Sequence, residues 1–174
     1  MCRPNGAITS KRTGPSLSNL GVALGLLLAL AGCARTRTLE APTPQAPDPG
    51  PEIAAMLRAS AESWNQGDLE GFLDDYLDSP QTAFVGGSGV IRGLDEIRRR
   101  YRVGYWSTGR PRDLLRFEDL EVQRLDAEHA LAIGRYILSD PATGQTTGHG
   151  VFSLVLVRTP QGWRIIHDHS SAAN

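Results

Sequence analysis

The spacing of apolar positions changes several times along the chain, and each change marks an element. Residues 20–31 are almost continuously apolar, about a dozen in a row, which is short of the roughly 20 that a membrane-spanning helix needs. Residues 34–50 (ARTRTLEAPTPQAPDPG) carry almost no large apolar side chain and many Pro, Thr and Ala. Such a segment cannot bury enough surface to fold. From Pro51 onward the pattern turns helical: Ile53, Met56, Leu57, Ser60 and Trp64 recur at three- and four-residue steps, with Pro51 as a start signal and Gly67 as a stop. Asp68 then caps a short second helix with Leu69, Phe72, Leu73 and Tyr76 on one side, closed by Ser79-Pro80.

Beyond that point the period shortens to two. Residues 82–85 and 90–92 predict a hairpin around the turn Gly86-Gly87-Ser88-Gly89. A third helix runs from Leu94 to about Tyr105, with Leu94, Ile97 and Tyr101 facing inward. After a polar loop at 107–113, four longer strand-like runs follow at 115–125, 129–138, 146–158 and 163–170. The turns between them, Asp126-Ala127-Glu128, residues 140–144 and Pro160-Gln161-Gly162, are too short for crossover helices, so the strands form an antiparallel meander. The order is α-α-β-β-α-β-β-β-β, an α+β domain over residues 51–174 with one core.

Charge and cysteine place this domain. Arg3, Lys11 and Arg12 precede the apolar run with no acidic residue among them, and Leu30-Ala31-Gly32-Cys33 closes it. Residues 1–32 therefore predict a secretory signal peptide. The closing tetrapeptide resembles the lipobox of bacterial lipoproteins, which implies that Cys33 becomes the lipid-bearing first residue and ties the chain to a membrane. Residues 33–50 are then the lipidated cysteine and a Pro-rich, disordered tether. Ala34 rather than Asp after Cys33 resembles outer-membrane sorting, in the cell envelope and facing the periplasm. Cys2 is removed with the leader and Cys33 is consumed, so one mature chain has no disulfide to form.

The chain carries 18 Lys and Arg against 19 Asp and Glu. Three of those cations lie in the leader, which leaves the mature part at about −4 and gives no footprint for nucleic acid. No Ser-His-Asp set, phosphate loop or cysteine cluster is present, and no cofactor site is read.

The order of elements, the stretch Trp64-Asn65-Gln66-Gly67-Asp68 and the ending Gly162-Trp163-Arg164-Ile165-Ile166-His167-Asp168-His169-Ser170-Ser171 together resemble the nuclear-transport-factor-2-like superfamily. Within it, the chain is most similar to the SnoaL-like bacterial domains and to the association domain of calcium/calmodulin-dependent kinase II, over roughly residues 52–171. The resemblance implies a cone in which a curved antiparallel sheet wraps three helices around a pocket, and a homodimer formed through the outer sheet face. Three functions are then expected in turn. One is a binding module for small organic molecules, anions among them. Another is a SnoaL-like enzyme of the isomerase, cyclase or dehydratase type, with His167 or Tyr76 as its acid/base. The last is a non-catalytic dimerisation module.

Candidate site residues follow from the pattern. Strict alternation along the last strand puts Trp163, Ile165, His167 and His169 on one face and Arg164, Ile166 and Asp168 on the other. Histidines two apart can share a metal, but no third ligand is specified, His149 being the nearest candidate, so no metal site is assigned. Arg135 interrupts the apolar face of Leu131, Ile133 and Ile137. It meets either a carboxylate, such as Asp168 or Glu118, or an anionic ligand.

In the kinase association domain a similarly placed strand arginine lines the pocket, so the resemblance carries that role to Arg135. The family's second pocket arginine has no counterpart, since Leu154 stands near its place. Tyr76, Tyr101, Trp64 and Trp106 are expected on the helix side of the pocket. Ketosteroid isomerases of the superfamily hold a general-base aspartate on the first hairpin, where this chain has Phe84-Val85-Gly86-Gly87 and no carboxylate. Asp75 and Asp78 are read as a solvated helix end, and Arg98, Arg99, Arg100 and Arg102 as a solvated helix face rather than a headgroup-binding patch.

Overall fold

In the computed structural model the described residues are 47–173. The leader, Cys33 and most of the tether fall outside them. Helix α1 spans Gly50–Gln66 and buries Ile53, Leu57, Ser60, Ala61 and Trp64, a stripe at three- and four-residue intervals. It stops at Gly67, whose left-handed φ of 82° lets its N–H reach back to the Ser63 and Trp64 carbonyls. Asp68 starts α2 (Leu69–Leu73) by accepting from the Gly71 N–H at 3.0 Å. After the hairpin β1 (Ala83–Gly86) and β2 (Gly89–Arg92), α3 (Leu94–Gly104) buries Ile97 and Tyr101. Among the described residues no helix is long and apolar enough to cross a membrane.

Strands β3 (Leu114–Arg124), β4 (His129–Ser139), β5 (Thr146–Thr159) and β6 (Gly162–Ala172) form the antiparallel meander. The six strands make one curved, open sheet in the order β2-β1-β6-β5-β4-β3. The hairpin joins it through a parallel pairing of β1 with β6 that sets Phe84 opposite Asp168. The segment between α2 and β1 also leans on β6, with Ile165 N–H donating to Asp75 O at 2.7 Å and Leu77 N–H to Ile165 O at 2.9 Å. The fold is α+β, with the helices seated on the concave face of the sheet.

Two bulges shape that face. In β3 the pairing slips between Glu118 and Glu121, and Asp119 takes a φ of 51°. In β6, Leu156 pairs with Ile165 but Val155 pairs with His167, so Ile166 is an extra residue. A bulge bends its strand and raises the local twist. Gly134 on β4 sits beside the first bulge, where a Cβ would come within 2.6 Å of the Phe152 ring. The missing side chain there is what admits Phe152 to the concave layer. The core is continuous from Ile53, Leu57 and Trp64 on α1 to Phe152, Leu154, Leu156, Trp163 and Ile165 on the sheet.

Candidate functional site

Between the helices and the concave sheet face lies a cavity of about 210 Å³. Its closed end is built by Leu57, Ser60 and Trp64 of α1, Phe72 of α2, Tyr76, and Ile165 and Asp168 of β6, all of them buried. Its open end is marked by lining residues that are half-buried or exposed: Gly87 in the β1–β2 turn, Arg100 and Tyr105 around the end of α3, Tyr136 and Leu138 on β4, and Ala172.

Asp168 is the polar centre. It is 4% exposed. Its Oδ2 accepts from the Tyr76 hydroxyl at 2.5 Å and its Oδ1 from the Ser170 hydroxyl at 2.8 Å. The Tyr76 and Tyr101 hydroxyls lie 3.4 Å apart, which extends the chain of polar atoms to α3. Burial pushes the Asp168 carboxyl above its usual range, against the opposing pull of Tyr76, Ser170, Arg100 and His167. Burial and the neighbouring Asp168 likewise push both tyrosine hydroxyls up, so they remain protonated donors. The walls are aromatic: Trp64 meets Phe72 edge-on at 5.1 Å, and Phe72 meets Tyr101 edge-on at 4.9 Å. A shaped apolar chamber with a few converging polar groups and one perturbed carboxyl is what a small-molecule site requires.

Residues 53–174 match the SnoaL-like domain family. The chain belongs to that family. Solved structures share its architecture. An NTF-2 like protein of unknown function from Shewanella oneidensis is 29% identical over 71% of this chain and 99% of its own, with a TM-score of 0.60. A nuclear transport factor 2 (NTF2-like) superfamily protein from Salmonella enterica is 22% identical over 72% of this chain and 92% of its own, with a TM-score of 0.57. A ketosteroid isomerase-like protein from Erwinia carotovora atroseptica is 19% identical over 74% and 99%, also with a TM-score of 0.57. No curated protein matches the chain. The SnoaL-like domain here thus has an NTF2-like, cystatin-like fold.

The structure brings together only some of the residues expected at the site of this SnoaL-like domain. Tyr76, Tyr101 and Trp64 line the cavity, with the Trp64 Nε1–H committed to Asp113 O at 2.9 Å. Trp106 is buried behind Trp64, its Nε1–H donating to Gly67 O at 2.8 Å, and is not part of the lining. Arg135 is on the convex face, paired with Asp119 at 3.3 Å, because the concave residues of β4 are Ala130, Ala132, Gly134, Tyr136 and Leu138.

His167 and His169 also lie outside the cavity. The extra residue Ile166 breaks the alternation, so Trp163, Ile165 and Asp168 face in, and both histidines face out beside Val155 and Ser153. His149 sits opposite Ile137, on strand positions that also face outward. The expectation that His167 shares a face with Ile165 is therefore corrected, and the carboxylate takes the position assigned to the imidazoles. Asp75 is also not solvated: burial lifts its carboxyl to about 7 against Ser60 and Arg164, and its Oδ2 has no hydrogen-bond partner among the described residues.

The sequence offered Asp168 only as a candidate partner for Arg135, without deciding which way it faces, and Arg100 only as part of a solvated helix face. The signal for Asp168 was available in a different form. An aspartate flanked by two histidines and two serines in a strand rich in apolar residues is an inward polar candidate once one bulge is allowed.

Proposed function

We propose that this domain binds a small organic molecule whose apolar, ring-sized body fills the concave cavity and whose polar group meets Asp168, Tyr76 and Tyr101. The observation that carries this reading is the buried Asp168 carboxylate opening into an aromatic-walled chamber. An engineered apolar cavity of about 150 Å³ holds a benzene, so the 210 Å³ found here accommodates one ring with short substituents. The test is titration with a panel of single-ring phenols and ketones, followed by ligand-observed NMR on the wild type and on Ser60→Phe, which fills the closed end. Binding to wild type and its loss in the filled variant is the expected result. Equal binding to both would sink the reading.

A second reading, acid/base chemistry of the SnoaL-like kind, is favoured by one observation. The carboxylate missing from the first hairpin is supplied one strand over, since Asp168 lies directly across from Phe84. A buried carboxyl held above its usual range by burial and hydrogen-bonded to a phenol can exchange a proton with a bound carbonyl compound. Exchange of the α-protons of a bound cyclic ketone with solvent deuterium should then vanish in Asp168→Asn while binding persists. Unchanged exchange in that variant would remove Asp168 from any such role.

Around this site we read the chain as an envelope lipoprotein, anchored in the outer membrane through lipid on Cys33 and held off it by the Pro-rich tether. Mass spectrometry of the membrane-extracted chain, with Cys33→Ser as the control, tests the lipid. The convex sheet face, with Ile133 46% and Val151 53% exposed, supports a homodimer, and sedimentation of the wild type against Ile133→Glu tests it.

A further inference from the structure

Helix α3 carries four arginines in five positions, and the structure sorts them. Arg98 pairs with Glu70 and Asp95, Arg99 with Glu96, and Arg102 with Glu70. Arg100 has no ion pair and no hydrogen bond among the described residues. Its guanidinium carbon lies over the Phe84 ring, 4.1 Å from the centroid, and over the Tyr101 ring at 5.4 Å. It is the one cation, and Asp168 the one carboxylate, among the described residues that line the cavity.

Stacking a guanidinium on an aromatic face holds its position and leaves its N–H edges unused, and those edges match a carboxylate in a two-pronged geometry. The same open end carries the Tyr105 and Tyr136 phenols, and neither hydroxyl has a hydrogen-bond partner among the described residues. Tyr136 feels both Tyr105 and Arg100 electrostatically, so the three groups share one neighbourhood.

The geometry points to a carboxylate-reading mouth: Arg100, with the Tyr105 and Tyr136 hydroxyls, holds the planar oxyanion of a monocarboxylic acid whose ring enters the aromatic chamber toward Asp168. This rests on the small-molecule reading above and names the chemical class of the ligand. The arrangement also sets its orientation. Arg100 sits among the half-buried and exposed residues of the open end and attracts the carboxylate there, so the acid enters ring first. Tyr76 and Tyr101 then face the ring and any neutral polar substituent on it.

The experiment compares benzoate and phenylacetate with their neutral isosteres benzamide and phenylacetamide by isothermal titration at neutral pH. It uses the full-length chain and its Arg100→Gln, Arg100→Lys and Tyr136→Phe variants, each checked for native near-ultraviolet dichroism. Wild type should prefer each acid over its amide by about tenfold or more, the usual weight of a charge-assisted contact. Arg100→Gln should erase the preference while still binding the amide, and Arg100→Lys should keep part of it. If wild type binds acid and amide equally, or if Arg100→Gln keeps the preference, the carboxylate reading is overturned and the cavity reading stands. If no probe binds, acid or amide, both are overturned together.

Discussion

Gly134 and Arg135 are adjacent on β4 and live in different surroundings. Gly134 faces the concave side, where the Phe152 ring fills the place of its absent side chain. Arg135 faces the convex side, where its side chain stays 43% exposed and meets Asp119, itself 70% exposed. The same contrast runs across the sheet: Asp168 is buried and fully partnered on one face of β6, while His169 is exposed on the other. The concave face is largely buried around its cavity, whereas the convex face leaves Ile133, Val151 and His169 exposed. Charge counts for different amounts on the two, because water screens an exposed pair and a buried group must find its partners within the protein.

The contrast can be broken most severely at Gly134. A Gly134→Val chain places branched carbon against the Phe152 ring and within 3.2 Å of Glu118 O. It should lose about 3 kcal/mol in urea unfolding, at the upper end of overpacking costs. A loss below half of that would show the concave layer to be loose. Next in size is Asp168→Ala, which leaves the Tyr76 and Ser170 hydroxyls without their acceptor and should cost about 2 kcal/mol. Adding Tyr76→Phe to that variant should cost less than it does alone, and simple additivity of the two would deny the contact.

Asp75 sharpens the picture with the opposite sign. Its carboxyl sits at about 7 in the folded chain against an ordinary 3.8, chiefly through burial. The folded state therefore holds a proton that the unfolded state releases, and stability falls as pH rises from about 4 through about 7, then levels off. Asp75→Asn should gain about 1 kcal/mol at neutral pH and nothing in acid, where the wild-type group is already neutral. A gain that persists below pH 4 would point to packing instead of charge. The smallest effect belongs to the convex face: Arg135→Ala should change stability by less than about 0.5 kcal/mol, as exposed pairs do. A loss equal to that of Asp168→Ala would remove the distinction between the faces.

Much of the fold is legible in the residues because its signals are local. The stripe on α1 from Ile53 to Trp64, the αL stop at Gly67 and the Asp68 cap each depend on neighbours within a turn or two. The four long strands begin and end within two residues of the expected bounds, since turn chemistry sets hairpin ends. The candidate site was less legible. Tyr101 and Trp64 were found because helical spacing fixes which way a side chain points, whereas Tyr76 lies past the end of α2 and is aimed by its bridge to Ile165. Arg135 was misplaced because alternation tells which residues share a face but not which face is concave, and His167 and His169 were misplaced because the alternation slips at Ile166. Among the four arginines on α3, spacing could not tell which one would lack a carboxylate, since Glu70 belongs to another helix.

By itself the sequence determined the class of fold, the order of its elements, the single core and the aromatic wall. What it left to the tertiary structure was which polar groups face the cavity. One extra residue at Ile166 decides that for β6. A bulge there is a property of how β6 pairs with β5 on one edge and with β1 and the Asp75–Leu77 segment on the other. The β5 pairing is a local hairpin, but the β1 and Asp75–Leu77 pairings join residues about 80 to 90 positions apart, so no local window contains both edges of β6. The period of a strand is set by its own backbone, but the place where that period slips is set by its neighbours, and here that slip places Asp168 inside.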